Sequence, residues 1–184
     1  MKIKSFGELC VVAFSNASLT EEYVSPFSPY SDPISFNSVL SSAGAYNIAC
    51  YGTNTGSIDI SMAGGVTPFT YLWSTNDTTE DLANLGVGSY QINVTDANGC
   101  LDSASFTMTE PTELDAVVTS TPTTCGLNNG TATAVPSGGV APYTYLWTGS
   151  QTTSTATNLP AQLYFITVTD SLGCTYSDVV SVSA

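Results

Sequence analysis

The chain has no histidine and no arginine, and its two lysines, Lys2 and Lys4, stand at the very start. From Ser5 onward nothing is positive, while 15 acidic residues bring the formal net charge to −13. Neutralising phosphates takes Lys or Arg, so nucleic acid and anionic membrane surfaces are excluded as partners. Catalysis by a His or Lys base, Schiff-base chemistry and Ser/His or Cys/His nucleophilic sites fail for want of the residues. Surface ion pairs can hardly exist, and solubility has to come from Ser, Thr, Asn and net negative charge. No run of 18 apolar residues occurs, so no helix long enough to insert into a membrane is expected.

What is present is repetition. Gly64-Gly-Val-Thr-Pro-Phe-Thr-Tyr-Leu-Trp73 returns as Gly138-Gly-Val-Ala-Pro-Tyr-Thr-Tyr-Leu-Trp147, identical at eight of ten positions and displaced by 74 residues. The same displacement of 74 relates Gly56 to Gly130, Thr78-Thr79 to Thr152-Thr153, Asn84-Leu85 to Asn158-Leu159 and Cys100 to Cys174. Tyr90 to Cys100 matches Tyr164 to Cys174 at seven of eleven positions, and only Cys50 to Cys125 breaks step, at 75. Two copies of one small domain follow, read as 33–111 and 112–184 after an N-terminal extension over 1–32.

Within each copy the apolar residues alternate. Phe69, Tyr71, Trp73 and Tyr143, Tyr145, Trp147 put three rings on one face of a strand, as Ile58, Ile60, Met62 and Tyr90, Ile92, Val94 do for other strands. In the first copy strands are expected at 34–40, 57–62, 68–73, 79–85, 89–95 and 103–109, separated by Gly, Asn and Pro turns. Short alternating strands with such turns predict an all-β protein: two tandem immunoglobulin-like antiparallel β-sandwiches.

The extension reads in two ways. Lys2 and Lys4, the apolar run Leu9, Cys10, Val11, Val12, Ala13, Phe14 and the ending Ser15-Asn16-Ala17 outline a secretory signal, interrupted by Glu8. Alternatively, Leu9 to Phe14 is a β-strand packed on its own domain or lent to a neighbouring subunit. Pro26, Pro29 and Pro33 then make an extended linker.

Four more cysteines recur: Cys50 and Cys100 in the first copy, Cys125 and Cys174 in the second. Four strands are expected between the members of each pair. Four reversals return the chain to the end it left, which predicts Cys50 bonded to Cys100 and Cys125 to Cys174. Zinc is disfavoured because no Cys-x-x-Cys occurs and no His is available. Disulfides imply an oxidising compartment, and Cys10 is left over.

In order along each copy stand Cys, Asn-x-Gly or Asn-Gly, Gly-Gly-x-x-Pro-[Phe/Tyr]-Thr-Tyr-Leu-Trp, Asn-Leu, and Val-Thr-Asp-x-x-Gly-Cys. This combination resembles the SprB-type repeat of very large bacterial surface adhesins, over about Cys50 to Glu110 and Cys125 to Ala184. The second copy departs from it at Pro160-Ala-Gln-Leu163, where a glycine turn is usual. The resemblance implies an exported, cell-surface immunoglobulin-like module with a stalk or adhesive role, either as a self-assembling subunit or beside neighbouring repeats of a larger adhesin.

For catalysis only carboxylates remain, and Asp77, Glu80, Asp81, Asp96, Asp102, Glu110 and Glu113 fall in turns and linkers, so no enzyme is expected. No cofactor is expected; calcium is the one candidate, through Asp96, Asn98 and Asp102, although the second copy lacks the last two ligands. Thr78, Ser103 and Ser171 each follow an Asp and look like bacterial O-glycosylation acceptors, while Asn16, Asn76, Asn93 and Asn129 head Asn-x-[Ser/Thr] triplets. The expected role is a non-enzymatic extracellular fibre or stalk. The alternative is a module that binds surface glycans through Tyr23, Tyr30, Tyr46 and Tyr51.

Overall fold

Alternation in sequence becomes alternation in burial wherever the chain is extended. The computed structural model describes residues 34–42, 44–124 and 127–184, and all its regular elements are β-strands. The first six are β1 (Ser35–Leu40), β2 (Gly56–Ala63), β3 (Thr70–Trp73), β4 (Leu82–Leu85), β5 (Gly88–Thr95) and β6 (Leu101–Met108). The copy of this series comprises β7 (Asp115–Thr121), β8 (Gly130–Ser137), β9 (Thr144–Trp147), β10 (Thr155–Leu159), β11 (Gln162–Thr169) and β12 (Thr175–Val182). Each expected strand of the first copy is found. β3 and β4 are shorter than their patterns suggested.

The strands form four three-stranded sheets, ordered β1-β2-β4, β3-β5-β6, β10-β8-β7 and β12-β11-β9. Lettered A, B, C, E, F, G, the strands of each copy make an A-B-E sheet and a C-F-G sheet, the immunoglobulin-like arrangement without strand D. The chain folds as two compact units: one holds the stretch ending at Leu40 with Ser57–Ala83 and Gly88–Thr107, the other Ser41–Gly56, Asn84–Val87 and Met108–Ala184.

A tryptophan centres each core. Trp73 and Trp147 are essentially inaccessible, while the tyrosines two residues earlier are half-buried and the intervening Leu72 and Leu146 face solvent. Each indole Nε1–H donates 2.9 Å to a backbone carbonyl, that of Thr79 or Thr153, and the hydroxyls of these two threonines donate to the Asp81 and Thr155 carbonyls. Around Trp147 the walls are small: Ala116, Ala132, Ala134 and Ala156, with Leu159, Tyr164, Ile166, Val168 and Val182. At the positions of the last three alanines the first copy has Ile58, Ile60 and Leu82.

Two other shared features are explained by backbone geometry. Asn84 and Asn158 adopt left-handed conformations, at φ 58° and 56°. On β10 the pairing with β8 shifts between Ala156 and Leu159, so this bulge turns Leu159 inward after two exposed residues. Gly130 is buried, and a Cβ there would lie 2.9 Å from the Leu159 carbonyl oxygen and 2.5 Å from Val182 Cγ1; Gly56 is hemmed in the same way by Leu85 and Met108.

The cysteine pairing differs from expectation. Cys50 is bonded to Cys174, with Cα atoms 5.6 Å apart and a separation of 124 positions in sequence. Bonds from Cys50 to Cys100 and from Cys125 to Cys174 are therefore not formed. The second sandwich shows why the strand count misled. β9 starts opposite Thr169, at the end where Cys174 lies, and stops at Trp147 opposite Ile166, midway along β11. The chain then changes sheets; β10 starts opposite Thr133, midway along β8, and finishes with Leu159 opposite Gly130. These two short strands are halves of one traverse, so four strands make three crossings. The connection between β7 and β8, on which Cys125 falls in sequence, begins and ends at the far pole, where Thr123 N–H bonds the Ser183 carbonyl and Gly130 meets Val182. Cys100, in the turn between β5 and β6, is also disulfide-bonded. Cys10 and Cys125 lie outside the described residues.

Cyanogen bromide tests the pairing, because internal methionines occur only at 62 and 108. Fragments 2–62 and 109–184 should stay joined on a non-reducing gel and part on reduction; a 109–184 fragment running free of 2–62 would contradict the bond. Gly130→Ala should cost about 2 kcal/mol by overpacking against backbone that cannot yield, read as a lowered denaturant midpoint at constant m-value.

Candidate functional site

The clamp in the second unit begins with a loop whose polar groups are nearly all spoken for. Asn47 organises it: its N–H and that of Ile48 donate to the Thr109 carbonyl at 3.1 and 3.0 Å, and its Oδ1 accepts from Thr109 N–H and Oγ1, both at 3.0 Å. Its Nδ2 donates to the Ser41 carbonyl, and the Ser41 hydroxyl donates back to the Asn47 carbonyl. Ile48 beside it is wholly buried. The Cys50 carbonyl accepts from Thr53 N–H and Oγ1, and Gly52 N–H donates 2.8 Å to the Glu110 carboxylate. Cys50 is thereby held before it meets its partner.

Cys174 is held from the other side by a buried carboxylate. Asp170 Oδ1 accepts from the N–H groups of Leu172 and Cys174, each at 2.9 Å, and Oδ2 accepts from Val140 N–H at 2.9 Å. Ser171 N–H and hydroxyl both donate to the Val140 carbonyl. One aspartate thus ties the Gly-Gly turn to the turn bearing the cysteine. Gly139 N–H in turn donates to the Thr112 carbonyl, and a Cβ on Gly138 would collide with the Glu113 carbonyl.

The first unit repeats the latch. Asp96 Oδ1 accepts from Asn98 and Cys100 N–H at 2.9 and 2.8 Å, and Oδ2 from Val66 N–H at 3.0 Å. Burial pushes the Asp96 carboxyl up, but the backbone donors of Cys100, Val66, Asn98 and Gly99 together outweigh it and hold the acid below its ordinary value. Of the other calcium candidates, Asp102 accepts from Ser103 N–H, and Asn98 is exposed. Among the described residues no three His, Cys, Asp or Glu side chains are grouped to hold a metal.

The remaining candidates are dispersed. Thr78 and Asn76 are exposed beyond β3, Asn93 and Ser103 on the outer face of β5 and β6, and Asn129 before β8, where its Oδ1 accepts from Thr124 N–H. Ser171 is exposed, though its hydroxyl serves the latch. Leu9 to Phe14, Asn16, Tyr23 and Tyr30 lie outside the described residues. Tyr46 is half-buried; Tyr51 is exposed and lines a hollow with Cys50, Glu113, Leu114, Gly173, Cys174 and Thr175.

Sequence reading missed the clamp's supports, Asn47, Thr109 and Glu110: Thr109 reads as the end of a strand, and Glu110 as one of the turn and linker carboxylates. It also missed an apolar face. Leu146, Leu163, Phe165 and Val179 are all exposed on the outside of the β12-β11-β9 sheet, where the equivalent residues of the first copy are Leu72, Ser89, Gln91 and Ser105.

The latch fixes a pH dependence. A carboxyl whose folded pKa is depressed adds stability in full above its unfolded value of about 3.9 and loses it as the pH falls through the folded value. Asp96→Asn should lower the melting temperature at pH 7 and flatten its fall below about pH 4; an unchanged melting temperature at pH 7 would show that the latch carries no stability.

A family model described as SprB repeat matches residues 45–78 and 117–152. Both matches run from near the start of a copy, through the Gly-Gly turn and its tryptophan, to the Thr-Thr pair, and stop short of the Val-Thr-Asp-x-x-Gly-Cys block. No curated protein matches the chain. Among solved structures, a 282-residue C-terminal fragment of intimin in complex with its receptor's intimin-binding domain aligns at 13% identity and TM-score 0.40, over 71% of this chain and 59% of that one. The N-terminal eight Ig domains of Down syndrome cell adhesion molecule align at 9% identity and TM-score 0.38, over 82% and 25%. An amphioxus IgVJ-C2 molecule aligns at 14% identity and TM-score 0.33, over 80% and 96%. The chain thus spans well under two thirds of the intimin fragment's length. The SprB repeat model is thus matched once in each copy of the duplicated sequence.

Proposed function

We propose that the chain is a non-enzymatic structural module of a bacterial surface adhesin or fibre, working outside the cell and assembling through its N-terminal extension. The observation that carries this reading is the pairing of SprB repeats with immunoglobulin-like sandwiches held by a disulfide. Supporting it, the scarce positive charge leaves carboxylates as the main acid–base groups near neutral pH, and those that are buried among the described residues, Asp96 and Asp170, are occupied in binding backbone. Sugars on Thr78, Ser103 or Ser171 would supply the solvation that charged residues do not.

Assembly has both an acceptor and a donor. Copies of so acidic a chain repel one another, and Lys2 and Lys4 beside the apolar Leu9 to Phe14 run are the only part that a second copy attracts. The exposed Leu146, Leu163, Phe165 and Val179 face of the second unit is the surface such a run would cover. A monomeric glycan-binding module is the alternative, favoured by exposed Tyr51 beside Glu113 and Thr175.

Electron micrographs and light scattering of the full chain should show polymers that Val11→Asp with Val12→Asp abolishes. A wild-type chain that stays monomeric while binding a glycan array, with binding lost in Tyr51→Ala, would replace this reading with the alternative.

A further inference from the structure

A bond that joins residues 124 apart does more than stabilise a fold: it changes which part of the chain can carry force. Consider tension applied to the two ends. It enters along β1, passes through residues 41–49 to Cys50, crosses the sulfur–sulfur bond to Cys174 and leaves along β12. Residues 51–173 lie on a closed covalent loop off this route. They include β2 to β11, both tryptophans, both buried aspartates and nearly all of the two cores.

The elements on the route have little length to yield. β1 and β12 are already extended, rising about 3.4 Å per residue, close to the 3.3–3.6 Å limit of a fully drawn chain. β12 follows Cys174 directly and runs all eight of its residues toward the C-terminus, so load passes straight down it. The loop between β1 and Cys50 is the part held by Asn47, Thr109 and Glu110.

We infer that the Cys50–Cys174 bond makes the chain an inextensible, force-bearing link, in which tension bypasses nearly all of both hydrophobic cores and the residues between the two cysteines cannot be unravelled from the ends while the bond is intact. Drawn taut, the backbone outside the loop reaches about 200 Å. Breaking the bond releases the loop and adds 124 residues, about 420 Å of further contour. A second bridge from Cys100 to either remaining cysteine leaves the shortest covalent route unchanged, so these lengths stand. The inference rests on the surface-fibre reading only for the origin of the load.

Single-molecule stretching of the full chain between handles at its two ends tests it. The oxidised chain should reach its limit near 200 Å with no unfolding step belonging to residues 51–173, and the same protein treated with a thiol reductant should gain about 420 Å. Unfolding steps that carry the oxidised chain beyond about 300 Å, or a reductant-induced gain below about 200 Å, would overturn the inference. Neither result bears on whether the chain polymerises, so the two readings fail separately.

Discussion

The covalent closure between Cys50 and Cys174 is the constraint on which the second unit depends. In the chain-entropy picture, closing a loop of 124 residues lowers the free energy of the folded state relative to the unfolded by about 5 kcal/mol. That is comparable with the whole net stability of a small domain. The core it supports is lean: Ala132, Ala134 and Ala156 wall Trp147, whereas the matching residues of the first copy, Ile58, Ile60 and Leu82, are larger and also buried. Each such exchange forgoes three buried carbons at about 0.8 kcal/mol apiece, about 7 kcal/mol in all, and the bond offsets the larger part of that deficit.

A bond of that reach needs both sulfurs presented before it forms. On one side Thr109 and Glu110 hold the Asn47 to Thr53 loop; on the other, Asp170 gathers two backbone N–H groups of the turn bearing Cys174 and a third from Val140. The two strongest blocks of repeated sequence, Gly-Gly-x-x-Pro and Val-Thr-Asp-x-x-Gly-Cys, are therefore one structural device. Asp96 and Asp170 receive the Val66 and Val140 amides from the first block while ordering the cysteine turn of the second.

Much of this was legible before any coordinates. Period-two patterns such as Ile58, Ile60 and Tyr90, Ile92, Val94 specify strands because a pleated strand sends alternate side chains to one face. The Asn-Leu pair was legible only as a shared marker; that its asparagine takes the left-handed backbone beside a bulge was not. Direction was not legible. The runs 68–73 and 79–85 look like full strands, and nothing in their residues says that each covers half of one traverse and belongs to a different sheet. From that follows the wrong cysteine pairing, because pole-to-pole parity turns on a single crossing. Nor could the apolar outer face around Phe165 be read, since an alternation of Leu163 and Phe165 with Tyr164 and Ile166 gives both faces of β11 hydrophobic residues.

The most direct test of the central claim is a thermodynamic cycle on the two cysteines. If Cys50 and Cys174 share one bond, Cys50→Ser, Cys174→Ser and the double variant should each lose the same stability, about 5 kcal/mol, in denaturant unfolding. Losses that add in the double variant would mean that each sulfur serves a different partner, and would contradict the account.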